Sequence, residues 1–340
     1  MLSYSRSAIA SAWLATCGMT MAQPGLAVGW GDPSSGQLEL PPGVYHAVAC
    51  GDFFTIGLRA DGTLVGAGDN FFGQINTPPG TFVEVAAGSF IGAAIRTDGS
   101  LAAWGAGAYG LTSPPQGKFV RVSVGHSLAI AVRSDGTLAG WGAMPQPIPS
   151  GTFLDAKAGR DFVVALRTDG TLVAWGENFW GQTNVPPGQF VAISAADVNG
   201  IALRADGAAV GWATYPGAQS VPQNERFVSI SAGSAWSGGV RRDGTLLIWG
   251  SASYGITQPP PGRFFKLVLG PTQAFALRAC AANCDLSTTP PVLSVNDFVC
   301  FVNRYAAGEA YANCDASTMP PVLSVNDFVC FLNAYAAGCP

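Results

Sequence analysis

The chain has 340 residues, 17 Lys+Arg against 21 Asp+Glu, and a formal net charge of −4. Only 11% of residues are charged while 48% are hydrophobic, which excludes a disordered chain, because disorder needs low hydrophobicity and high charge. So few basic residues, spread along the whole chain, also exclude a basic nucleic-acid-binding face.

The first segment, residues 1–22, reads as a secretory signal peptide. Arg6 is its sole charge, Ala8–Ala22 is apolar and small, and Thr20-Met21-Ala22 supplies small residues before a cleavage point. A membrane anchor is the alternative, but the stretch is short for a span of ~20 residues. Leu14-Ala15-Thr16-Cys17 faintly resembles a lipoprotein cleavage box. The expected protein is exported, extracellular or on the cell surface, with the periplasm as a further compartment.

Residues 23–279 repeat one unit. Arg-x-Asp-Gly recurs at Arg59, Arg96, Arg133, Arg167, Arg204 and Arg241, in steps of 37, 37, 34, 37 and 37 residues. Six residues after the Asp stands Trp104, Trp141, Trp175, Trp212 or Trp249, with Ala67 in the first repeat. Eight residues before each Arg stands a small residue, such as Gly51, Gly88, Gly125, Gly159, Ala196 or Gly233. Each unit spells three short strands, as in 82–87, 93–96 and 101–104. Asp-Gly is a hairpin signal whose central residues favour φ > 0. Gly-Gln followed by Pro-Pro-Gly leaves room for a fourth edge strand, where Pro is tolerated. Antiparallel strands repeated every ~37 residues describe a β-propeller blade. Val28-Gly29-Trp30-Gly31 is a third strand without a first and second; 264–278 is a first and second without a third. Together they complete a seventh blade and close the ring. The expected fold is mainly β, a seven-bladed propeller closed by its N- and C-terminal strands, with a small α-helical module after it.

Trp175-Gly176-Glu177-Asn178-Phe179-Trp180-Gly181-Gln182, and nearly Gly68-Asp69-Asn70-Phe71-Phe72-Gly73-Gln74, resemble the regulator-of-chromosome-condensation repeat family. The continuation Thr183-Asn184-Val185-Pro186 resembles most the secreted bacterial propeller-type β-lactamase inhibitory proteins. The resemblance implies the fold and leaves function open. The family's common His, third after the Gly, is replaced by Phe54, Ile91, Leu128, Phe162, Asn199, Trp236 and Gln273.

In an up-and-down blade, the turns between strands one and two and after strand three share one face. The Asp-Gly turns take the other. The first face gathers Phe53, Phe54, Phe71, Phe72, Phe90, Tyr109, His126, Phe162, Phe179, Trp180, Trp236 and Tyr254, together with Arg160, Asp161 and Asn199. A scaffold leaves its binding positions free to vary, so this rim is the expected binding surface, for a protein or a glycan. The alternative is that these rings plug gaps between blades. No HExxH, Gly-x-Ser-x-Gly or phosphate loop occurs, and no second titratable group sits at a fixed spacing from His46 or His126, so no catalytic residue is assigned. The competing function is a secreted carbohydrate-active enzyme using rim carboxylates Asp52, Asp69, Asp161, Glu177 or Asp197. A purely structural repeat protein is the third reading.

Residues 280–340 hold a second, duplicated unit. Asn283-Cys284-Asp285-Leu286-Ser287 and the stretch from Val292 to Phe301 recur thirty residues later, as Asn313-Cys314-Asp315-Ala316-Ser317 and Val322 to Phe331. Phe298, Phe301, Val302 and Tyr305 follow helical spacing. Alternating oxygen-bearing residues before a helix carry the logic of an EF-hand loop. The pair resembles the cysteine-containing dockerin modules. That resemblance implies weak calcium sites at Asn283, Asp285, Ser287, Asp297 and at Asn313, Asp315, Ser317, Asp327, and a cohesin-like or surface partner. The loops depart from the usual pattern, with Asn first, an insertion holding Pro290-Pro291 or Pro320-Pro321, and no Gly. Six of the eight Cys lie here: Cys280, Cys284, Cys300, Cys314, Cys330 and Cys339. Fifteen pairings are open; the duplication favours Cys284–Cys300, Cys314–Cys330 and Cys280–Cys339. Cys50 is expected to be a buried free thiol. No organic cofactor, nucleic acid or membrane span is expected.

Overall fold

The computed structural model describes residues 25–213, 221–278, 299, 302 and 303. The signal-peptide expectation, all eight calcium ligands and the six cysteines after Arg278 lie outside the described residues. Val299, Val302 and Asn303 have helical backbone and are exposed.

Short strands arise where β-branched and small apolar residues alternate between Gly-rich turns. β1 is Gly25–Gly31. The next groups are β2 (Val44–Cys50), β3 (Phe54–Arg59) and β4 (Leu64–Gly68); β5 (Phe82–Ala87), β6 (Ile91–Arg96) and β7 (Leu101–Gly105); and β8 (Phe119–Val124), β9 (Leu128–Arg133) and β10 (Leu138–Gly142). Then come β11 (Phe153–Ala158), β12 (Phe162–Arg167) and β13 (Leu172–Gly176); β14 (Ala192–Ala196), β15 (Asn199–Leu203) and β16 (Ala209–Trp212); β17 (Phe227–Ala232), β18 (Trp236–Arg241) and β19 (Leu246–Gly250); and finally β20 (Lys266–Leu269) and β21 (Gln273–Arg278). Neighbours within a group pair antiparallel. β1 pairs with β21, Trp30 opposite Ala274, and so supplies the third strand of the last group. Two residues of β1 also pair with β2, which fuses the first and last groups into a six-stranded sheet. This is a β-propeller with blade-like sheets. The first strands touch in sequence, β2 to β5, β8, β11, β14, β17 and β20, and β20 touches β2.

Two expectations change. Among the described residues no fourth strand forms in any group, and the Pro-Pro-Gly stretches run outside the ladders. Consecutive Pro residues have no N–H to donate, so a ladder cannot continue through them. In the Asp-Gly hairpins only the Gly takes positive φ, +85° at Gly62, while the Asp does not. Gly62 N–H donates to Arg59 O, and Arg59 N–H to Thr63 O, both at 2.9 Å, giving a three-residue loop that ends in a left-handed Gly.

The repeated residues are joints. Trp104 Nε1 donates to Gln74 O at 2.8 Å, Trp141 to Leu111 O at 2.9 Å and Trp212 to Gln182 O at 2.8 Å, each thirty residues back in the preceding unit. Trp30 makes the same bond to Ile256 O at 2.9 Å, across 226 residues. Gly125 is needed for close approach: a Cβ there meets Gly159 O at 2.0 Å. Arg96, Arg133 and Arg167 lie 5.0–5.1 Å over the rings of Phe82, Phe119 and Phe153 and donate to carbonyls of the Pro-containing turn. Where Gln223-Asn224-Glu225 replaces that turn, Arg241 takes the Glu225 carboxylate instead, Nε to Oε2 at 2.7 Å. The core lies between sheets; Ile91, Ile95, Phe119, Val122, Ala129 and Trp141 form one such layer.

Candidate functional site

Backbone bonds assign the two faces. Asp69 N–H donates to Phe53 O, Ala106 N–H to Phe90 O and Glu177 N–H to Asp161 O, so the turn after strand one and the loop after strand three meet. On the opposite face Phe82, Phe119 and Phe190 N–H groups donate to Gly62, Gly99 and Gly170 carbonyls beside the Asp-Gly turns.

The loop after the third strand is held from inside. Gln74 and Gln182 are buried, and their Oε1 atoms accept from Phe72 N–H and Trp180 N–H at 2.8 Å. Asn70 and Asn178 bridge across the loop to Asn76 and Asn184 at 3.0 and 3.1 Å. With polar atoms turned inward, the aromatic side chains point out. Phe71 is 83% exposed and Phe179 78%, and each meets its neighbour edge to face, Phe71–Phe72 at 84° and Phe179–Trp180 at 83°. Tyr109 and Tyr254 are exposed at φ 56° and 59°, a left-handed conformation uncommon for an aromatic residue. Phe72, Tyr109, Trp180 and Tyr254 hold the same place in their repeats, immediately before a Gly. That equivalence is visible in the sequence once the repeats are aligned on their third strands.

Not all twelve expected rim residues reach the surface. Phe53, Phe71, Phe72, Tyr109, His126, Phe179, Trp180 and Tyr254 are exposed, and Phe90 is half-buried beside Phe72 at 5.4 Å between centroids. Phe54, Phe162 and Trp236 are buried and do not belong to the rim. Each opens a second strand directly after the turn, so its ring is driven under the Gly three residues earlier: an added Cβ at Gly51 or Gly159 meets the Phe ring within 2.0 Å. Trp236 Nε1 donates to Gly270 O at 3.1 Å, bridging groups. For these three, gap filling is the correct description. Asn199, at the same place, is buried with neither amide atom hydrogen-bonded.

The first strands surround a cavity of about 1130 Å³. At its loop-face end stand Asp52, Ser89, His126, Arg160 and Asp197, each the residue after the small residue of its repeat. Ser89 Oγ lies 2.8 Å from His126 Nδ1, and Asp52 also bonds the Ser89 side chain. The hydroxyl therefore sits between carboxylate and imidazole. A catalytic triad requires the imidazole in the middle, so this order does not build one. Arg160 lies 3.8 Å from Asp197. Desolvation pushes the Asp52 and Asp197 carboxyls up, against Ser89 and His126 for the first and Arg160 for the second. Asp161 accepts from Ser127 Oγ at 3.0 Å and Asp69 from Gln74 Nε2 at 2.9 Å, so both serve the scaffold. Among the described residues no group of three or more His, Cys, Asp or Glu is placed to hold a metal. Cys50 is a free thiol, half-buried, and desolvation pushes its pKa up to about 12.

Deeper in the cavity lie Glu84, Arg121, Lys157 and Lys266, which sequence reasoning did not single out. Their signal was faint: charged residues two or four places after Phe82, Phe119, Phe153 and Phe264, where Ala or Ser stands after Tyr45, Phe190 and Phe227.

A profile of the regulator of chromosome condensation (RCC1) repeat matches residues 45–74 and 155–182. These stretches run from the first strand to Gln74 and Gln182. Among solved structures, Prp20p from Saccharomyces cerevisiae is 17% identical, with 76% of this chain and 92% of that chain covered and a TM-score of 0.64. Human WBSCR16 is 15% identical over 75% and 99%, with a TM-score of 0.65. The ectodomain of the Physcomitrella patens receptor kinase CR4 is 20% identical over 66% and 68%, at 0.58. A search of curated proteins gives no match. The chain thus carries RCC1-type repeats on a β-propeller, and the structural likeness speaks to fold.

Proposed function

We propose that this is a non-catalytic binding protein whose aromatic loop face docks another protein. The observation that carries the reading is the recurrence of an exposed aromatic residue, Phe72, Tyr109, Trp180 and Tyr254, at one register of four loops, two of which bond their polar groups inward through Gln74 and Gln182. Exposed rings give large contact area at small entropy cost and anchor protein interfaces. Propellers of this fold include Prp20p, the yeast RCC1, studied for its binding to Gsp1p and histones and also seen bound to Kap60.

The reading extends to the whole chain: residues 23–279 form seven blades in a closed ring, exported behind residues 1–22. Residues 280–340 tether it through a dockerin-like module that takes weak calcium. Support for the ring is the β1–β21 pairing and the Trp30–Ile256 bond; support for the rest is the sequence pattern. The test is quantitative capture from the native secretome by the full chain and by the quadruple variant F72A/Y109A/W180A/Y254A, with cross-links mapped by mass spectrometry. A partner cross-linked to the loop face and lost with the variant is the expected result. Equal recovery by both forms rejects the surface, and binding confined to a glycan array replaces the protein partner with a sugar.

A further inference from the structure

The chain has three lysines, Lys118, Lys157 and Lys266. Lys118 is on the outside, 59% exposed and 3.7 Å from Asp98. The other two line the central cavity with Arg121. A protein of net charge −4 therefore turns two of its three lysines toward its own axis.

Their positions follow from the strand register. Glu84, Arg121 and Lys266 each stand two residues after the Phe whose N–H bonds the preceding Asp-Gly turn, so they form one tier of the ring of first strands. Lys157 stands two residues further along its strand. Glu84 is already engaged: Oε1 accepts from Val122 N–H at 3.1 Å, and Oε2 lies 3.5 Å from Arg121. Lys157 reaches Asp155 at 3.0 Å, whose carboxylate also accepts from Ala156 N–H. Among the described residues Lys266 has no hydrogen bond or ion pair; its charge is felt by Glu84 and opposed by Lys157 and Arg121. At this level of the cavity three cations, Arg121, Lys157 and Lys266, meet two carboxylates, Glu84 and Asp155, which are already engaged by Arg121 and Lys157. Desolvation lowers the Lys266 pKa and outweighs the attraction of Glu84. Charges removed from bulk water are stable when paired. Asp52, Asp197 and Arg160 balance one another more closely at the loop-face end, so the excess positive charge is local to the waist.

We propose that the waist of the central cavity binds a small multivalent oxyanion of the phosphate class, held by Lys266, Lys157 and Arg121. An oxyanion accepts several charge-assisted hydrogen bonds at once, and a cavity of about 1130 Å³ admits it with its water. The site is separate from the aromatic loops and does not depend on their having a partner.

The test labels the amines of the intact protein with an acetylating reagent and reads each lysine by mass spectrometry, in inorganic phosphate or in chloride at matched ionic strength. Lys118 is the internal control. Protection should grow as one plus the ratio of phosphate to its dissociation constant, so Lys266 and Lys157 are labelled about tenfold more slowly near ten times that constant. Lys118 should label at one rate throughout. Lys266→Met should abolish the phosphate protection of Lys157, and Glu84→Gln should strengthen it by removing the competing carboxylate. The wild-type measurement stands even if a variant does not fold. Equal labelling of Lys266 and Lys157 in the two salts overturns the proposal, as does uniform slowing of all three lysines.

Discussion

The two faces of the propeller use the same kind of residue to opposite ends. On the turn face each Asp is bound into its own loop. The Thr63, Ser100 and Thr137 hydroxyls, and the Thr171 and Thr245 backbone N–H groups, hold Asp61, Asp98, Asp135, Asp169 and Asp243 below the usual carboxylate range. At the cavity mouth on the loop face, desolvation lifts Asp52 and Asp197 above it. A carboxylate surrounded by donors serves the scaffold; a desolvated one beside Arg160 and His126 sets the charge of the cavity mouth. The difference shows why a motif repeated six times says little about function, while the unrepeated residue beside a repeated Gly says more.

The largest effect should come from breaking the joint that both faces share. Gly125→Val places a side chain against Gly159 O, and overpacking of this kind costs about 3 kcal/mol. Urea denaturation would show it; a wild-type midpoint would mean the groups are not closely apposed there. Next is the inward anchor of an aromatic loop. Gln182→Ala leaves Trp180 N–H without its acceptor and should cost about 2 kcal/mol. It should also weaken partner capture, because Phe179 and Trp180 lose their fixed presentation. Asn199→Leu should raise stability by about 1 kcal/mol, since two buried amide atoms without partners are replaced by an apolar side chain.

The faces should also separate by pH. The lowered turn-face carboxyls contribute stability that is present above the ordinary Asp value and lost as pH falls through their folded values. Replacing all five by Asn, which keeps an acceptor oxygen, should flatten the acid limb of a thermal-melt series. The raised Asp52 and Asp197 act with the opposite sign: stability is greatest below the ordinary value and declines as pH rises through their folded values. Asp52→Asn together with Asp197→Asn should remove that decline. A double variant that instead steepens the acid limb would contradict the assignment. The smallest effect on folding is expected at the rim. F71A/F179A should shift stability by less than about 0.5 kcal/mol, because both rings already lie in solvent. Loss of partner binding without loss of stability would confirm that this face is display rather than support.

Much of this was legible in the residues. The spacing of Arg-x-Asp-Gly and of the Trp that follows it marks the repeats, and their truncated ends foretell the β1–β21 pairing. Asp-Gly marks every hairpin between a second and a third strand, though its loop is one residue longer than the tightest turn because the Asp keeps negative φ. The rim was half legible. Phe71, Phe72, Phe179 and Trp180 were identified, yet Phe54, Phe162 and Trp236, at the start of the second strand on the same face, turned inward.

Local periodicity is a property of neighbouring residues, so the order of strands and turns could be read along the chain. Which ring is exposed, and which charges face one another, depends on residues some 35 to 220 positions apart. Ser89 meets His126, Trp30 meets Ile256, and Gln273 reaches Gly51 only when the groups pack side by side. The cavity that gathers Arg121, Lys157 and Lys266 exists in no single repeat, because it is the space left where the first strands converge.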